Sequence, residues 1–350
     1  MPINPSIGSV AVAVQSDRDT AATEPLFKHG LTGGSPFSAD RSVASTAVAC
    51  GNRAPSDARV DSVTVGGSIE SLCYPDTVGF YLYAGLGAVQ SAADTKNGYY
   101  KHVFTMGDTL PYVTIWSQVG TNNFTQALGC KASSVELSAT GNEPIAMTAE
   151  FTGIDGKVGI DGIPGDLAAS CYGGKFVPTD CVVRLDTASG TPVDALVSDV
   201  TFTITNGTSA LSSLGRVTAR DIADGQLQVG IQVTTIPDDI TQYKKMVTGS
   251  ANSTDIIGKV VLGSFYAKFV HSDDANMTLE IEIKHIPFTA DYPSVDPEGT
   301  EGTIQFTCDS AIVTAAGESP ATVTLINKTQ WYALKDKPAP QPPAGGKDNK

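Results

Sequence analysis

The chain has 350 residues and a mass of 36.3 kDa, room for one large domain or two ordinary ones, and its 41% hydrophobic content supplies a sizeable core. Charged residues make up only 17%, whereas Gly and Pro number 35 and 20 and Ser and Thr are abundant, which excludes a helical bundle or a long coiled coil. The net charge of −14 is spread over both halves and the only adjacent basic pair is Lys244 and Lys245, so tight binding to duplex nucleic acid or to an anionic membrane surface is disfavoured.

At the start, residues 1–24 read as a polar, Ala/Ser/Thr-rich N-terminal arm. It has no basic n-region and only a five-residue apolar run before Gln15, so no signal peptide is expected, and no stretch approaches the ~18 apolar residues of a membrane span. The β-rich body is expected to run in two parts, 25–152 and 171–334. Pro75 to Gly87 reads as one short amphipathic helix lying over an open side of a sandwich. Pro opens it beside Asp76, Val78, Leu82 and Leu86 recur at four-residue spacing, and Gly87 stops it, while Gly79 and Gly85 weaken it. Residues 90–101, QSAADTKNGYYK, read as a polar loop.

Beyond it, period-2 alternation dominates. Val135 and Leu137, then Ile145, Met147, Ala149 and Phe151, put their apolar side chains on one face. So do Phe202 and Ile204; Leu227, Val229, Ile231 and Val233; Leu279, Ile281 and Ile283; Ile304, Phe306 and Cys308; and Val323 and Leu325. Clusters of Gly, Asn, Asp and Pro separate these runs, so half-buried antiparallel strands in an all-β sandwich or barrel are expected. Glycines at 153, 156, 159, 162 and 165 are too few for collagen and mark a Gly-rich linker loop over 153–170. The Pro/Gly-rich tail 335–350 has little to bury and is expected to be disordered.

No motif for chemistry stands out. The G-x-S-x-G elbow, the phosphate-binding P-loop and the dinucleotide fingerprint are absent. Six cysteines (50, 73, 130, 171, 181 and 308) form no C-x-x-C pair and read as reduced thiols. His29, His102, His271 and His285 lack partners at metal-ligand spacing. No catalytic, cofactor-binding or metal residue is therefore expected. Glu280 and Glu282 could in principle serve a glycosidase, but they share the polar face of one strand and read as solvated. Asp238 and Asp239 read the same way, and His271–Asn276 reads as a turn. His102 reads as a structural histidine, with Phe104 and Trp116 as core or interface aromatics. Five N-x-S/T triplets begin at Asn123, Asn206, Asn252, Asn276 and Asn327 and are what chance gives in a Ser/Thr-rich chain.

Three segments in order carry a resemblance. They are GGSIESLCYPDTVGFYLYAGLG over 66–87; His102–Thr105 (HVFT) followed by Leu110–Ile115 (LPYVTI); and Leu128–Lys131 (LGCK) leading into Val135–Ser138. Together they resemble the major tail (tail tube) proteins of bacteriophages with long non-contractile tails, specifically over about 60–155 and more loosely over 196–330. Phe202–Asn206 and Thr322–Asn327 are also similar to that family's pattern. The resemblance implies a structural, non-enzymatic virion protein without cofactors, assembled in the host bacterial cytoplasm. It implies a twisted β-sandwich with a flanking helix that closes into rings, typically hexameric, stacked into a hollow tube. It also implies the tape-measure, tail terminator and distal tail proteins as partners, with double-stranded DNA passing through transiently. An acidic subunit without a basic stripe suits a lumen that repels phosphate. A β-rich surface or adhesion module with immunoglobulin-like domains is the alternative.

Overall fold

The computed structural model describes residues 3–46, 57–96, 98–165, 167, 174–188, 193–293 and 302–336. The expected disordered tail, from 337 onward, lies outside them, as do Cys50, Cys171 and most of 166–173.

In chain order the strands begin with β1 (Gly8–Val14), β2 (Phe27–His29), β3 (Ser38–Thr46) and β4 (Asp57–Leu72). Helix α1 (Pro75–Leu86) follows, then β5 (Gly87–Ala93), β6 (Tyr100–Met106), β7 (Val113–Val119), β8 (Asn123–Thr140), β9 (Ala146–Gly153) and β10 (Asp155–Val158). Next come β11 (Phe176–Asp186), β12 (Val193–Asp194), β13 (Val197–Thr205), β14 (Ser209–Leu211), β15 (Asp221–Ala223) and β16 (Gln228–Thr235). Helix α2 (Thr241–Thr248), β17 (Gly263–His271), β18 (Thr278–Ile286), β19 (Thr289–Ala290), β20 (Ile304–Cys308) and β21 (Ala321–Asn327) complete the series.

The fold is all-β with short helices. A large sheet runs β19-β20-β16-β13-β8-β7-β1-β2, with β10, β9, β4 and β3 joined on the other flank of β8. A smaller sheet runs β12-β11-β17-β18-β21-β6-β5. One core fills the space between them, from Ile69 and Phe151 through Phe202 and Phe306 to Phe265 and Leu325. Each predicted alternating run forms a strand with its apolar members buried, save that Ile145 and the half-buried Leu227 stand just before β9 and β16. Neither sheet closes into a barrel among the described residues, so the sandwich half of the expectation is the one that forms.

The spine is β8. Its first half pairs with β7 and β10, its second half with β13 and β9. The exchange of neighbours falls at Gly129, whose φ of 60° only glycine adopts without strain and whose missing Cβ would lie 2.7 Å from Ile154 Cδ1.

Helix α1 differs from its expectation. It is not an amphipathic cover but a nearly all-buried plug packed against β8, β6 and β5. Its glycines are what admit it: a Cβ on Gly79 would sit 2.3 Å from Tyr332 Cζ, and one on Gly85 would sit 3.0 Å from Val135 Cγ2. Two further differences concern segments read as polar. Half of the expected loop 90–101 lies in the paired strands of the β5–β6 hairpin, which pair from Gly87↔Met106 to Ala93↔Tyr100. And α2, which is mostly polar, forms a second helix, held to β11 by a Lys245–Asp186 ion pair of 3.3 Å.

Within the segment expected as an arm, β1 is buried between β7 and β2, with Val10 and Val12 facing the main core and Ala11 and Ala13 facing Trp116. Within the segment expected as a linker, β10 pairs with β8, and Ile160 and Ile163 pack over Trp116.

Gly79→Ala tests the plug. Tyr332 is wholly buried and its hydroxyl is hydrogen-bonded, so the ring cannot retreat. Overpacking here is expected to cost about 1–3 kcal/mol, read as a lower Tm in thermal unfolding. An unchanged Tm overturns the close-packing account.

Candidate assembly interface

A buried helix must find partners for its terminal backbone groups. At the C-terminal end Asn206 does this, while Asn327 adds a second donor to a first-turn carbonyl and so ties the helix to β21. Asn206, just past β13, donates from Nδ2 to Gly85 O at 2.9 Å and to Ala132 O at 3.1 Å. Asn327, the last residue of β21, donates to Pro75 O at 2.7 Å and to the Tyr332 hydroxyl at 2.6 Å, and that hydroxyl donates to Asp76 O at 2.9 Å. The Gly107 N–H donates to Leu86 O at 2.7 Å.

His102 completes the Asn327 cluster. Its Nε2 lies 2.8 Å from Thr329 O and 3.2 Å from Asn327 Oδ1, and its Nδ1 lies 2.9 Å from Ser91 Oγ. Two acceptors at Nε2 place a proton there, and burial holds the ring's pKa below the usual value. The segment Leu128–Lys131 meets Leu110–Ile115 at the break in β8. Lys131 lies under the Tyr112 ring at 4.5 Å and pairs with Asp224 at 2.8 Å. Cys130 is wholly buried, its thiol pushed up to about 12 by burial, and so is inert. The ordered motifs are thus interior scaffolding.

The surfaces differ from one another. Across β4 (from residue 67), β9, β8 (from residue 134), β13, β16 and β20, the large sheet turns outward Thr, Ser and Gln side chains with Glu70, Glu136, Glu150 and Asp199. No Lys or Arg points outward there; Lys131, at the border, is buried in its ion pair. The smaller sheet instead interleaves both signs, with Lys268–Glu280 at 2.8 Å, Lys284–Glu282 at 3.8 Å and Arg184–Asp194 at 2.9 Å.

Besides edge strands such as β5, one projection leaves its backbone open. Residues 57–64 of β4 pair with β3 alone apart from Val63, which donates its N–H to Val217 O at 2.7 Å. This two-stranded arm is mostly exposed, Val43 and Val60 included.

A family model described as phage tail tube protein matches residues 6–348. The chain belongs to the phage tail tube protein family. Comparison with curated protein sequences gave no match. Membership in this structural family makes the chain a virion component that assembles with copies of itself into a tube. No helix among the described residues is long and apolar enough to cross a membrane.

The residues weighed for chemistry fall outside any shared site. Glu280 and Glu282 are the ion-paired members of the smaller sheet's outer face. Asp239 accepts the Thr241 N–H at the start of α2, and Asp238 is exposed beside it. His271–Asn276 is the turn joining β17 and β18, where Asp274 accepts from the Tyr99 hydroxyl and pairs with Lys328. Two of the five Asn triplets begin at the buried Asn206 and Asn327, which the folded chain cannot present for modification. No cluster of three or more His, Cys, Asp or Glu suited to a metal occurs among the described residues.

His29 is a buried group the sequence did not single out. Its Nδ1 lies 2.8 Å from Gly30 O, and its Nε2 accepts from the Tyr81 hydroxyl of α1 at 2.5 Å. Burial pulls its pKa from 6.5 down to about 4. Below pH 6.5 the unfolded chain takes up a proton that the folded chain refuses. Stability is therefore full above 6.5 and declines as pH falls toward 4, by about 3 kcal/mol from this residue. Thermal melts from pH 7 to 4 are expected to show that slope, reduced in His29→Gln, with His102 contributing in the same sense. Identical slopes in the two proteins overturn the assignment.

Proposed function

We propose that this tail tube protein closes into rings, hexameric as the resemblance implies, that stack into the hollow tube of a long non-contractile phage tail. Ring closure runs through the sheet margins: the β3–β4 arm, with its unpaired backbone, pairs with the β19–β20 margin of the neighbouring copy. A heterologous contact that closes by rotation solves the exposed-edge problem as a barrel does. Assembly takes place in the host bacterial cytoplasm, around the tape-measure protein, and the terminator and distal tail proteins bound the tube at its ends.

The observation that carries this reading is the outward face formed by β4 from residue 67, β9, β8 from residue 134, β13, β16 and β20, polar and anionic with no outward Lys or Arg. As a lumen lining, that face repels the phosphates of double-stranded DNA, which carry one charge per ~1.7 Å, and provides no cation to hold them. The ion-pair-laced smaller sheet then faces the medium.

Negative-stain images of the purified chain, with light scattering on size-exclusion fractions, are expected to show rings or tubes. A strict monomer at high concentration overturns the reading. The lumen assignment has its own test. Glu136→Lys with Glu150→Lys is expected to leave tube formation intact yet reduce DNA delivery by phage carrying it about tenfold or more, because the duplex now meets condensed cations. Equal reductions from Glu280→Lys with Glu282→Lys, on the other face, overturn the assignment.

A further inference from the structure

The strand ends of the large sheet carry two complementary features. At one end, past β13, the β14–β15 hairpin presents the tip 212–220. Its base is fixed by the Leu211↔Asp221 pair and by the Arg220 N–H donating to Leu211 O at 2.8 Å. Gly215, at φ 85°, and the Arg216 N–H bond to Ser213 O shape the turn. The tip holds Leu214 fully in solvent, and Arg216, Val217 and Arg220 are exposed beside it. Leu214 and Val217 thus leave apolar side chains on a fixed turn open to a partner.

At the opposite end a cleft of about 230 Å³ opens between the two sheets next to α2. Leu185, Ile304 and Phe306 form its floor and Leu196 and Ile236 its mouth, with Leu196 largely exposed. Asp238 and Asp239 stand on its rim, both exposed. Hydrogen bonds from Thr241 hold the Asp239 carboxyl below its usual pKa, so it is ionised at neutral pH. The registers set the two features at opposite strand ends: Thr205 pairs with Gln228 at the hairpin end, and Val197 with Thr235 at the cleft end.

We propose that the hairpin tip of one copy docks into this cleft of the next copy along the tube, with Leu214 entering between the sheets and Arg216 and Arg220 facing Asp238 and Asp239. This rests on the tube reading above. There the arm's open backbone and the β19–β20 margin serve the ring, and the tip beside the arm, tied to it by the Val63 N–H bond to Val217 O at 2.7 Å, is left to join ring to ring. The contact is heterologous: tip and cleft are different surfaces of one chain, so it repeats without limit along an axis. The occupant is argued by charge, two exposed guanidinium groups against two exposed carboxylates, and by the apolar side chain that each partner leaves in water.

The test uses the purified full chain. Leu214→Asp, and Arg216→Glu with Arg220→Glu, are expected to raise the concentration needed for tube growth about tenfold, leaving free rings. Asp238→Arg with Asp239→Arg is expected to do the same, and the four-fold charge exchange to restore growth, a recovery that misfolding cannot give. Leu214→Cys with Leu196→Cys is expected to link copies by a disulfide in tubes, with neither single variant doing so. Tubes growing normally from the Leu214 and arginine variants, without that crosslink in the paired variant, overturn this contact while leaving the tube reading intact. A wild-type chain that forms no assembly overturns both.

Discussion

A helix with almost no solvent face must still satisfy its peptide ends, and that requirement organises this protein. Helix α1 sits inside the sandwich, where water cannot serve its carbonyls, and an unmet buried acceptor costs about 1–3 kcal/mol. Asn206 meets that need at Gly85 O in the last turn, and Asn327, from the other sheet, ties down the first turn through Pro75 O. Each ends an alternating Thr-rich run, so the strand that builds a sheet also delivers the amide that fixes the plug. His102 and Tyr332 extend the same network to β6 and to the segment after β21, which fixes the smaller sheet against α1 without any charge being buried.

That economy explains why the interior is scaffold and the exterior is function. The motifs that carry the family resemblance lie inside, at α1 and at the break in β8. What distinguishes one outer face from another is composition: uncharged hydroxyls and amides with carboxylates on the large sheet, alternating ion pairs on the smaller one. Ion pairs at exposed sites contribute little stability, so their value is in the field they set, near neutral on one side and negative on the other.

The strands were legible because alternation with a period of two survives any arrangement of neighbours, as in Val229, Ile231 and Val233. The position of α1 was not, since Gly79 and Gly85 look like weak helix formers until Tyr332 and Val135 are seen against them. β1 was hidden for the opposite reason: Val10 to Val14 is apolar on both faces, which erases alternation. The short, mostly polar α2 gave little signal, because beyond Tyr243 and Met246 on the core its anchoring is an ion pair to Asp186 and hydrogen bonds between Gln242 and Thr187. The charge of the large sheet's outer face could be anticipated only as an overall acidity, since register decides which carboxylates stand together.

The break at Gly129 has a mechanical meaning. Because β8 exchanges β7 for β13 along a single unbroken backbone, a pull between those two neighbours is carried by covalent bonds from one half of the strand to the other. Separating the neighbours means shearing a whole ladder of hydrogen bonds at once, with no seam to unzip one rung at a time. A subunit under tension thus has its strongest line through its middle.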